Sequence, residues 1–193
     1  MIYVFCRGVL RLIYKLAFRL EAKGLEHIPA EGGVLLCSNH ISLLDPPTIG
    51  IKLKRKVHFM AKKELFDIFG FGWLITQLGA FPVKRGGVSK ESIKTSLNLL
   101  RGGHVMGIFP EGHRVKGDEG AIGKRGAATF ALRSDAAVIP VAIIGNYKLF
   151  RKMKVVYGEP IDLSAFKEDK GGDAAEQATE LIMSRIAELK KRG

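Results

Sequence analysis

Cysteines and acidic residues are few in this chain of 193 residues. Its two cysteines, Cys6 and Cys37, form no C-x-x-C pair, which excludes a disulfide framework or a cysteine-rich metal site and favours a reducing, cytosolic setting. The five histidines show no H-E-x-x-H or similar pairing, so no metal ion is expected. No G-x-S-x-G segment occurs, and a serine hydrolase would therefore lack its nucleophile.

The deficit of acidic residues leaves a strong positive charge. Lys and Arg number 31 against 19 Asp and Glu, which gives a net charge of +12. Such a balance predicts an anionic partner, which is nucleic acid, a phosphorylated substrate or an anionic membrane surface. With 47% hydrophobic residues, the length suits one globular domain with a sizeable core rather than two domains.

The apolar N-terminus lacks an uninterrupted hydrophobic run. Four cations recur every four residues and so stack along one helical face: Arg7, Arg11, Lys15 and Arg19. A spanning helix would place several of them in hydrocarbon at ~2.5–3.5 kcal/mol each, which argues against a transmembrane segment. We therefore expect residues 1–23 to form an amphipathic helix at a membrane interface, with its cations near anionic headgroups. The alternative is a helix docked on the protein's own core with its basic face in water, and both can hold in part.

The remaining residues, 24–193, are expected to form one α/β domain. Apolar runs typical of strands lie at residues 33–38, 57–61, 81–83, 105–109, 138–143 and 154–157. Helices are predicted from Pro46 onward and at residues 89–101, 127–133 and 173–191. This alternation indicates a mostly parallel mixed sheet flanked by helices, with ligands bound at the carboxyl ends of its strands.

One further apolar stretch, residues 65–81, carries Trp73 and several phenylalanines but is broken by Gly70 and Gly72. These glycines and Asp67 argue against a membrane span. We expect short helices that line an apolar groove or touch the bilayer.

His40 and Asp45 flank a tight loop between the first buried strand and the helix that follows. There the carboxylate can accept a hydrogen bond from one imidazole nitrogen, which fixes the tautomer and leaves the other nitrogen free to take a proton. The pair would then be a general base with its orienting acid. The alternative is that Asp45 is an ordinary N-cap of the helix that two prolines begin, and His40 merely caps the loop.

A set of cations lies at strand ends or in adjoining loops and can surround a phosphate: Lys62, Arg85, Arg114 and Lys124. For any one of them, the alternative is a solvated surface charge. Glu111 lies between a proline and a glycine, and two roles have equal weight for it. It either contacts the substrate site by orienting those cations, or it holds its loop.

Together these residues resemble the four ordered motifs of the glycerolipid acyltransferase family, whose closest type is the bacterial 1-acyl-sn-glycerol-3-phosphate acyltransferase. The resemblance covers roughly residues 25–165. Its segments are Asn39-His40 with Asp45, Phe59 with Lys62, Glu64 and Leu65, residues 79–85, Phe109-Pro110-Glu111-Gly112 with Arg114, and residues 138–141. An H-x4-D segment followed at a suitable distance by F-P-E-G-x-R is a specific combination.

The resemblance implies acyl transfer from a thioester, on coenzyme A or acyl carrier protein, to the 2-hydroxyl of lysophosphatidic acid. The product would be phosphatidic acid, for phospholipid biosynthesis. His40 would be the base and Asp45 would orient it, with no acyl-enzyme intermediate and no cofactor. Both lipids reside in the bilayer, so a peripheral or monotopic location at the cytoplasmic face of the cell membrane is expected.

The resemblance also assigns the contacts around the acceptor. Three cations would contact its phosphate: Lys62, Arg85 and Arg114. Gly112 and its neighbours would offer backbone donors to the oxyanion. One departure concerns the motif arginine, because family members commonly carry threonine and then serine around it, whereas His113 and Val115 flank Arg114 here. His113 would bind phosphate, replace the hydrogen bond of the missing hydroxyl, or be a tolerated loop substitution.

Two alternatives differ in what they require of the site. An acyltransferase for another lyso-glycerolipid acceptor would use the same residues, and an acceptor panel would separate it. A non-catalytic basic protein that binds membranes or nucleic acid would explain the charge and the N-terminal helix. It would leave the loop between His40 and Asp45 unused, and no nucleic-acid recognition motif is present.

Overall fold

The computed structural model describes residues 2–83, 89–114, 123, 125–168 and 173–193. Their strands are β1 (Glu21–Lys23), β2 (Val34–Ser38), β3 (Val57–Lys62), β4 (Ala80–Val83), β5 (Val105–Ile108), β6 (Ala137–Ile144) and β7 (Lys154–Tyr157). Their helices are α1 (Ile2–Phe18), α2 (Asp45–Gly50), α3 (Phe71–Gln77), α4 (Lys90–Arg101), α5 (Gly126–Leu132), α6 (Ser164–Glu168) and α7 (Ala174–Arg192).

The strands form one sheet in the order β1-β7-β6-β2-β5-β3-β4. Strand β7 runs antiparallel to β6, and the other neighbouring pairs are parallel. The predicted class, a mostly parallel mixed sheet flanked by helices, is confirmed. Connections through α2 and α3 cross the sheet in one direction and those through α4 and α5 return, so right-handed crossovers place these two pairs on opposite faces.

Strand β2 lies in the middle of the molecule and is buried on both faces. Val34 and Leu36 pack in the core under α1 and α2, whereas Leu35 and Cys37 pack in the core under α4, α5 and α7. Alternate side chains of a strand point to opposite faces, so a strand covered on both sides must be apolar throughout. Burial on both faces is therefore the physical cause of the continuous apolar run that predicts β2.

Strand β1 is a difference from the sequence analysis, which treats residues 1–23 as a helical segment. Helix α1 ends at Phe18, and β1 then pairs with β7 at the edge of the sheet. Arg19 has a positive φ of 46° at the break between helix and strand. A strand of three residues is too short to show a two-residue alternation, which is why its sequence carries no strand signal.

Helix α1 packs on the domain with part of its basic stripe inward. Tyr14 and Phe18 are buried in the core. Arg7 donates to the carbonyl oxygens of Leu53 and Lys54, both at 2.8 Å, and Arg11 donates to that of Ile51. The end of α2 and the turn after it expose carbonyl groups with no intrahelical partner, and cations bind well there. Arg7 and Arg11 thus bind carbonyl groups of the domain, while Lys15 and Arg19 are exposed, and contact of this basic stripe with headgroups stays a prediction.

The outer side of α1 is apolar and exposed. Large exposed hydrophobic side chains occur on α1, at Leu25, beside Asp45, around the start of α3 and in the loop after β6: Ile2, Val4, Phe5, Val9, Leu12, Ile13, Leu16, Leu25, Leu43, Leu44, Ile68, Phe69, Phe71, Trp73, Leu149 and Phe150. Among the described residues, none lies on α4, α5 or α7. No helix in the described part of the chain combines the length and the apolar character needed to cross a bilayer. Among the described helices, the large exposed hydrophobic side chains thus lie on α1 and α3.

Candidate active site

The site begins where β2 ends. Asn39 is buried, and its side-chain amide donates to the carbonyl oxygen of Ile143 at 3.0 Å and accepts from the amide of Ile143 at 2.8 Å. This pair of hydrogen bonds copies the pairing of one strand residue with another. It fixes the start of the loop that follows to the end of β6, at the carboxyl edge of both parallel strands.

His40 and Asp45 are in direct contact across this loop. The distance from His40 Nδ1 to Asp45 Oδ2 is 2.6 Å, and the same oxygen accepts from the amides of Ile41 and Ser42 at 2.7 Å each. The Asp45 carboxylate is fully buried, whereas 17% of the His40 side chain is exposed. The acid is thus enclosed, and the base has access to solvent.

The capping alternative for Asp45 does not fit this geometry. Asp45 is the first residue of α2, and its carboxylate turns back onto the preceding loop. The next two residues are prolines, which have no amide hydrogen to offer a cap, and the amide of Thr48 donates to the carbonyl oxygen of Leu44. The carboxylate is therefore used by the loop and by His40.

The hydrogen bond between these side chains determines where the imidazole proton lies. An ionised carboxylate only accepts, so Nδ1 must donate to Asp45 and Nε2 carries the lone pair. Among the described residues, no side chain or backbone group forms a hydrogen bond with Nε2. A neutral imidazole held in this way can take a proton from a bound hydroxyl group.

Phe109 covers one face of the His40 ring. The ring centroids are 3.9 Å apart with 14° between the planes, and Phe59 stacks behind Phe109 at 6.0 Å and 19°. Phe59 in turn lies against Gly107 on β5, where an added Cβ would be 2.2 Å from a Phe59 ring carbon. Stacking on a flat ring limits the rotation of the imidazole, so Gly107, Phe59 and Phe109 form one packed support for the base.

We expect Gly107→Ala to destabilise the protein by about 1–3 kcal/mol, because the methyl group has no room unless Phe59 moves. Urea unfolding measures this loss. Gly8→Ala on α1 is the matched control, since no atom lies within 4 Å of its added Cβ, and it should be neutral or stabilising. Adding Phe59→Leu to Gly107→Ala should recover much of the stability. Equal unfolding free energies for the two glycine variants would contradict the packing argument.

Glu111 holds the backbone of the base. Its Oε2 accepts from the amide of His40 at 3.0 Å, and its side chain is buried. Burial raises the pKa of Glu111, and the hydrogen bond from the His40 amide partly opposes that rise. Of the two roles left open by the sequence, this contact fits the loop-holding one.

If Glu111 holds the loop, Glu111→Ala should lower kcat about tenfold and leave the KM of the acceptor unchanged, because the His40 amide loses its buried acceptor. Glu111→Gln keeps an oxygen acceptor and should retain most of the turnover. Steady-state kinetics of the two variants measure the split. A raised acceptor KM with unchanged kcat would instead indicate that Glu111 orients the cations of the phosphate site.

The Glu111→Gln variant should also change how the stability of the protein depends on pH, and this can be measured without substrate. A carboxyl group whose pKa is raised by folding stabilises the protein at pH below its unfolded pKa of ~4.3, and this contribution is lost as the pH rises through the folded pKa. The unfolding free energy of Glu111→Gln, relative to the unchanged protein, should therefore increase as the pH rises from about 4 through the raised folded pKa of Glu111, as measured by urea unfolding across this pH range.

Comparison with known proteins agrees with this geometry. A family model described as Acyltransferase matches residues 19–144, which include His40, Asp45, Phe109 and Glu111. The chain is 35% identical to the 1-acyl-sn-glycerol-3-phosphate acyltransferase of Bacillus subtilis over 196 aligned positions, which cover 98% of each protein. The chain belongs to the acyltransferase family.

Two further comparisons give the same assignment. The 1-acyl-sn-glycerol-3-phosphate acyltransferase of Streptococcus pneumoniae is 30% identical over 203 positions, which cover all of this chain and 75% of that protein. The crystal structure of the 1-acyl-sn-glycerophosphate (LPA) acyltransferase PlsC from Thermotoga maritima superimposes with a TM-score of 0.69 at 25% identity, covering 96% of this chain and 82% of that one. The predicted recognition and fold are confirmed.

Two of the four predicted phosphate-binding cations lie in the described part of this acyltransferase. Lys62 ends β3 and is exposed, and Arg114 is exposed three residues after Glu111. Arg85 and Lys124, with Val115, lie outside the described residues. Lys62 and Arg114 are thus available at strand ends, and their contact with a phosphate stays a prediction.

The amide of Gly112 is already used within its own turn, and backbone donors to the oxyanion from its neighbours stay a prediction. Gly112 has a φ of 69°, which favours glycine, and its amide donates to the carbonyl oxygen of Phe109 at 2.9 Å. Because this amide closes the turn after β5, it is not available as an oxyanion donor in this conformation. A glycine at this position allows the tight turn after β5 that holds Glu111 within hydrogen-bond distance of the His40 amide.

Tyr147 is a site residue that sequence reasoning missed. It lies in the loop between β6 and β7, and its hydroxyl donates to Asp45 Oδ1 at 2.7 Å. The family model ends at residue 144, before this tyrosine, and nothing in its local sequence indicates a functional residue. Only the folded chain brings it to the acid.

Proposed function

We propose that this acyltransferase transfers an acyl group from a thioester to the 2-hydroxyl of lysophosphatidic acid and so forms phosphatidic acid. The observation that carries the proposal is the partly exposed imidazole whose Nδ1 is fixed on a fully buried carboxylate. Relatives that align over nearly the whole chain bear this activity in their names. The alternative acceptors are other lyso-glycerolipids, which would use the same base.

In the proposed reaction, Nε2 of His40 takes the proton of the acceptor hydroxyl as its oxygen attacks the thioester carbonyl carbon. Asp45 stabilises the imidazolium that forms, because its carboxylate already accepts the Nδ1 proton. The tetrahedral adduct collapses with cleavage of the carbon–sulfur bond, and the leaving thiolate recovers the proton from Nε2. The products are an ester and a free thiol, without an acyl-enzyme intermediate or a cofactor.

The acceptor's phosphate is assigned to the cations near the carboxyl edge of the sheet. Lys62 and Arg114 are exposed there, which leaves their charged groups free to meet a phosphate. Arg85 and Lys124 are proposed to complete the set. Arginine binds phosphate through two parallel hydrogen bonds, so Arg114 is the residue expected to orient the headgroup.

A peripheral location on the cytoplasmic face of the membrane is part of the proposal. The exposed apolar side of α1 is close to the dyad, because Tyr14 of this helix donates to the carbonyl oxygen of Leu44, the residue before Asp45. A lipid acceptor could then reach His40 laterally. Lifting an acyl chain into water would cost ~0.8 kcal/mol per methylene, which a lateral path avoids.

The test is thiol release from an acyl thioester by the purified protein in lipid micelles. We expect release only when an acceptor is present, and the fastest release with lysophosphatidic acid, with acyl-coenzyme A or with acylated acyl carrier protein as donor. A panel of lyso-glycerolipids with other headgroups should react more slowly, because the phosphate monoester is the group that the cations recognise. Faster release with another acceptor would overturn the acceptor assignment and leave the acyl transfer itself in place.

A further inference from the structure

The two oxygens of the Asp45 carboxylate are held very differently. Oδ2 accepts from His40 Nδ1 and from the amides of Ile41 and Ser42, all within 2.7 Å. Among the described residues, Oδ1 accepts from one group alone, the hydroxyl of Tyr147 at 2.7 Å. The carboxylate is fully buried, so no water replaces that donor at its surface.

Tyr147 is itself fixed from two sides. Its hydroxyl lies 2.7 Å from Thr48 Oγ1, and its ring packs edge-on against Phe18 of α1, with centroids 5.5 Å apart and 89° between the planes. Since Asp45 only accepts, the single phenolic proton must go to Oδ1. The Thr48 hydroxyl has one proton, which it can donate either to the phenol oxygen or to the carbonyl oxygen of Leu44 at 2.8 Å. Burial, and after it the charge of Asp45, raises the pKa of Tyr147, so the phenol keeps its proton at any working pH.

From this geometry we propose that Tyr147 is a positioning residue of the dyad, which fixes the plane of the Asp45 carboxylate and so aims Nε2 of His40 at the acceptor hydroxyl. If Oδ2 alone is anchored, combined changes in the two side-chain torsions of Asp45 can still swing Oδ1 about that oxygen and tilt the carboxylate plane. Donors at both oxygens stop that rotation, and the 2.6 Å contact with Nδ1 then sets the direction of the imidazole. The inference rests on the proposed function only for the identity of the reaction, acyl transfer to a hydroxyl group, that the positioned imidazole would catalyse.

The geometry also predicts which kinetic constant depends on Tyr147. The hydroxyl contacts Asp45 and Thr48. Within the described residues, no hydrogen bond joins it to the exposed cations Lys62 and Arg114. Loss of the hydroxyl should therefore leave acceptor binding intact. It should reduce the fraction of bound complexes in which Nε2 points at the hydroxyl, and this fraction multiplies kcat.

The test compares Tyr147→Phe with Tyr157→Phe. The first change removes the hydroxyl and keeps the ring against Phe18. The control removes the hydroxyl of a fully buried tyrosine, which donates to the carbonyl oxygen of Ile49 in α2 and has no contact with the dyad. We expect Tyr147→Phe to lower kcat about 10- to 100-fold with an acceptor KM within about twofold of the unchanged protein, and Tyr157→Phe to leave kcat within about twofold.

A second readout needs no substrate. The proton shared by His40 Nδ1 and Asp45 should give a low-field proton resonance in the NMR spectrum, assigned by its absence in His40→Ala. We expect Tyr147→Phe to shift or broaden it and Tyr157→Phe to leave it in place. All kinetic constants are compared about 15 °C below the lower of the two melting temperatures, so a difference in stability does not enter the comparison.

The outcomes separate the inference from the proposed function. A lowered kcat with a shifted resonance supports the positioning role. An unchanged resonance, or a kcat equal to that of Tyr157→Phe, overturns it. A shifted resonance in a protein that releases no thiol with any acceptor supports the positioning role and overturns the proposed function.

Discussion

His40→Ala should abolish acceptor-dependent thiol release, with a loss of about 10²–10⁴-fold in kcat, because a positioned general base contributes that much to the rate. The imidazole is the group that the surrounding contacts serve: Asp45 fixes its tautomer, Phe109 covers one face and Glu111 holds its backbone amide. Its removal leaves the acceptor hydroxyl without a base. The acceptor KM should change little, because the exposed cations that would bind the phosphate are untouched.

The control for this variant is His104→Ala. His104 precedes β5 and so lies at the opposite edge of the sheet, where its ring contacts His58 at 5.6 Å between centroids. Its replacement removes an imidazole without affecting the loop between His40 and Asp45, and full activity is expected. Melting temperatures of both variants establish that they fold. Thiol release that survives His40→Ala in a folded protein would contradict the base mechanism, whichever acceptor is used.

The dyad could be predicted from sequence because it is local. Five residues separate His40 from Asp45, and the strand before them and the prolines after them define a short loop in which the two side chains must meet. The contacts that hold the dyad are not local. Glu111 is 71 positions from His40 and Tyr147 is 102 from Asp45, so their contacts depend on which strands become neighbours.

The order of the strands explains why the sequence identifies some site residues and not others. Short apolar runs predict that β2, β5 and β6 are buried, but nothing in them states that β2 lies between β5 and β6. That order brings Glu111 after β5 and Tyr147 after β6 to the loop that follows β2. Glu111 belongs to a recognisable motif, so the sequence identifies it as a site residue, although it leaves the role of this residue open. Tyr147 belongs to none and was missed.

Helix α1 shows a second limit of prediction from sequence. Its sequence predicts an amphipathic helix, and periodicity places its cations on one face, but periodicity does not reveal which face meets the protein. The carbonyl groups after α2 decide this, because they attract Arg7 and Arg11 to the domain. The outward side then consists of apolar residues, together with the exposed cations Lys15 and Arg19. Membrane contact is thus expected from the apolar side, and the headgroups have two of the four cations available.

The triple variant Phe5→Ser, Leu12→Ser, Leu16→Ser should lose binding to vesicles by about a thousandfold. These side chains are exposed on the outer side of α1, and burying three of them in a bilayer is worth at least about 4 kcal/mol. Stability should change little, because surface substitutions away from packed contacts are usually within about 0.5 kcal/mol. Co-sedimentation with neutral and with anionic vesicles measures the binding.

Two further variants make the result specific to the apolar side of α1. Gln177→Ser, Glu180→Ser, Arg185→Ser introduces three serines on exposed positions of α7, on the opposite face, without changing the net charge, and should bind as the unchanged protein does. Lys15→Gln, Arg19→Gln should keep its binding to neutral vesicles and lose about 1 kcal/mol per cation on anionic ones. Binding of the triple α1 variant equal to that of the α7 variant would show that this helix does not carry the protein to the membrane, and the lateral path of the acceptor to His40 would then have no basis.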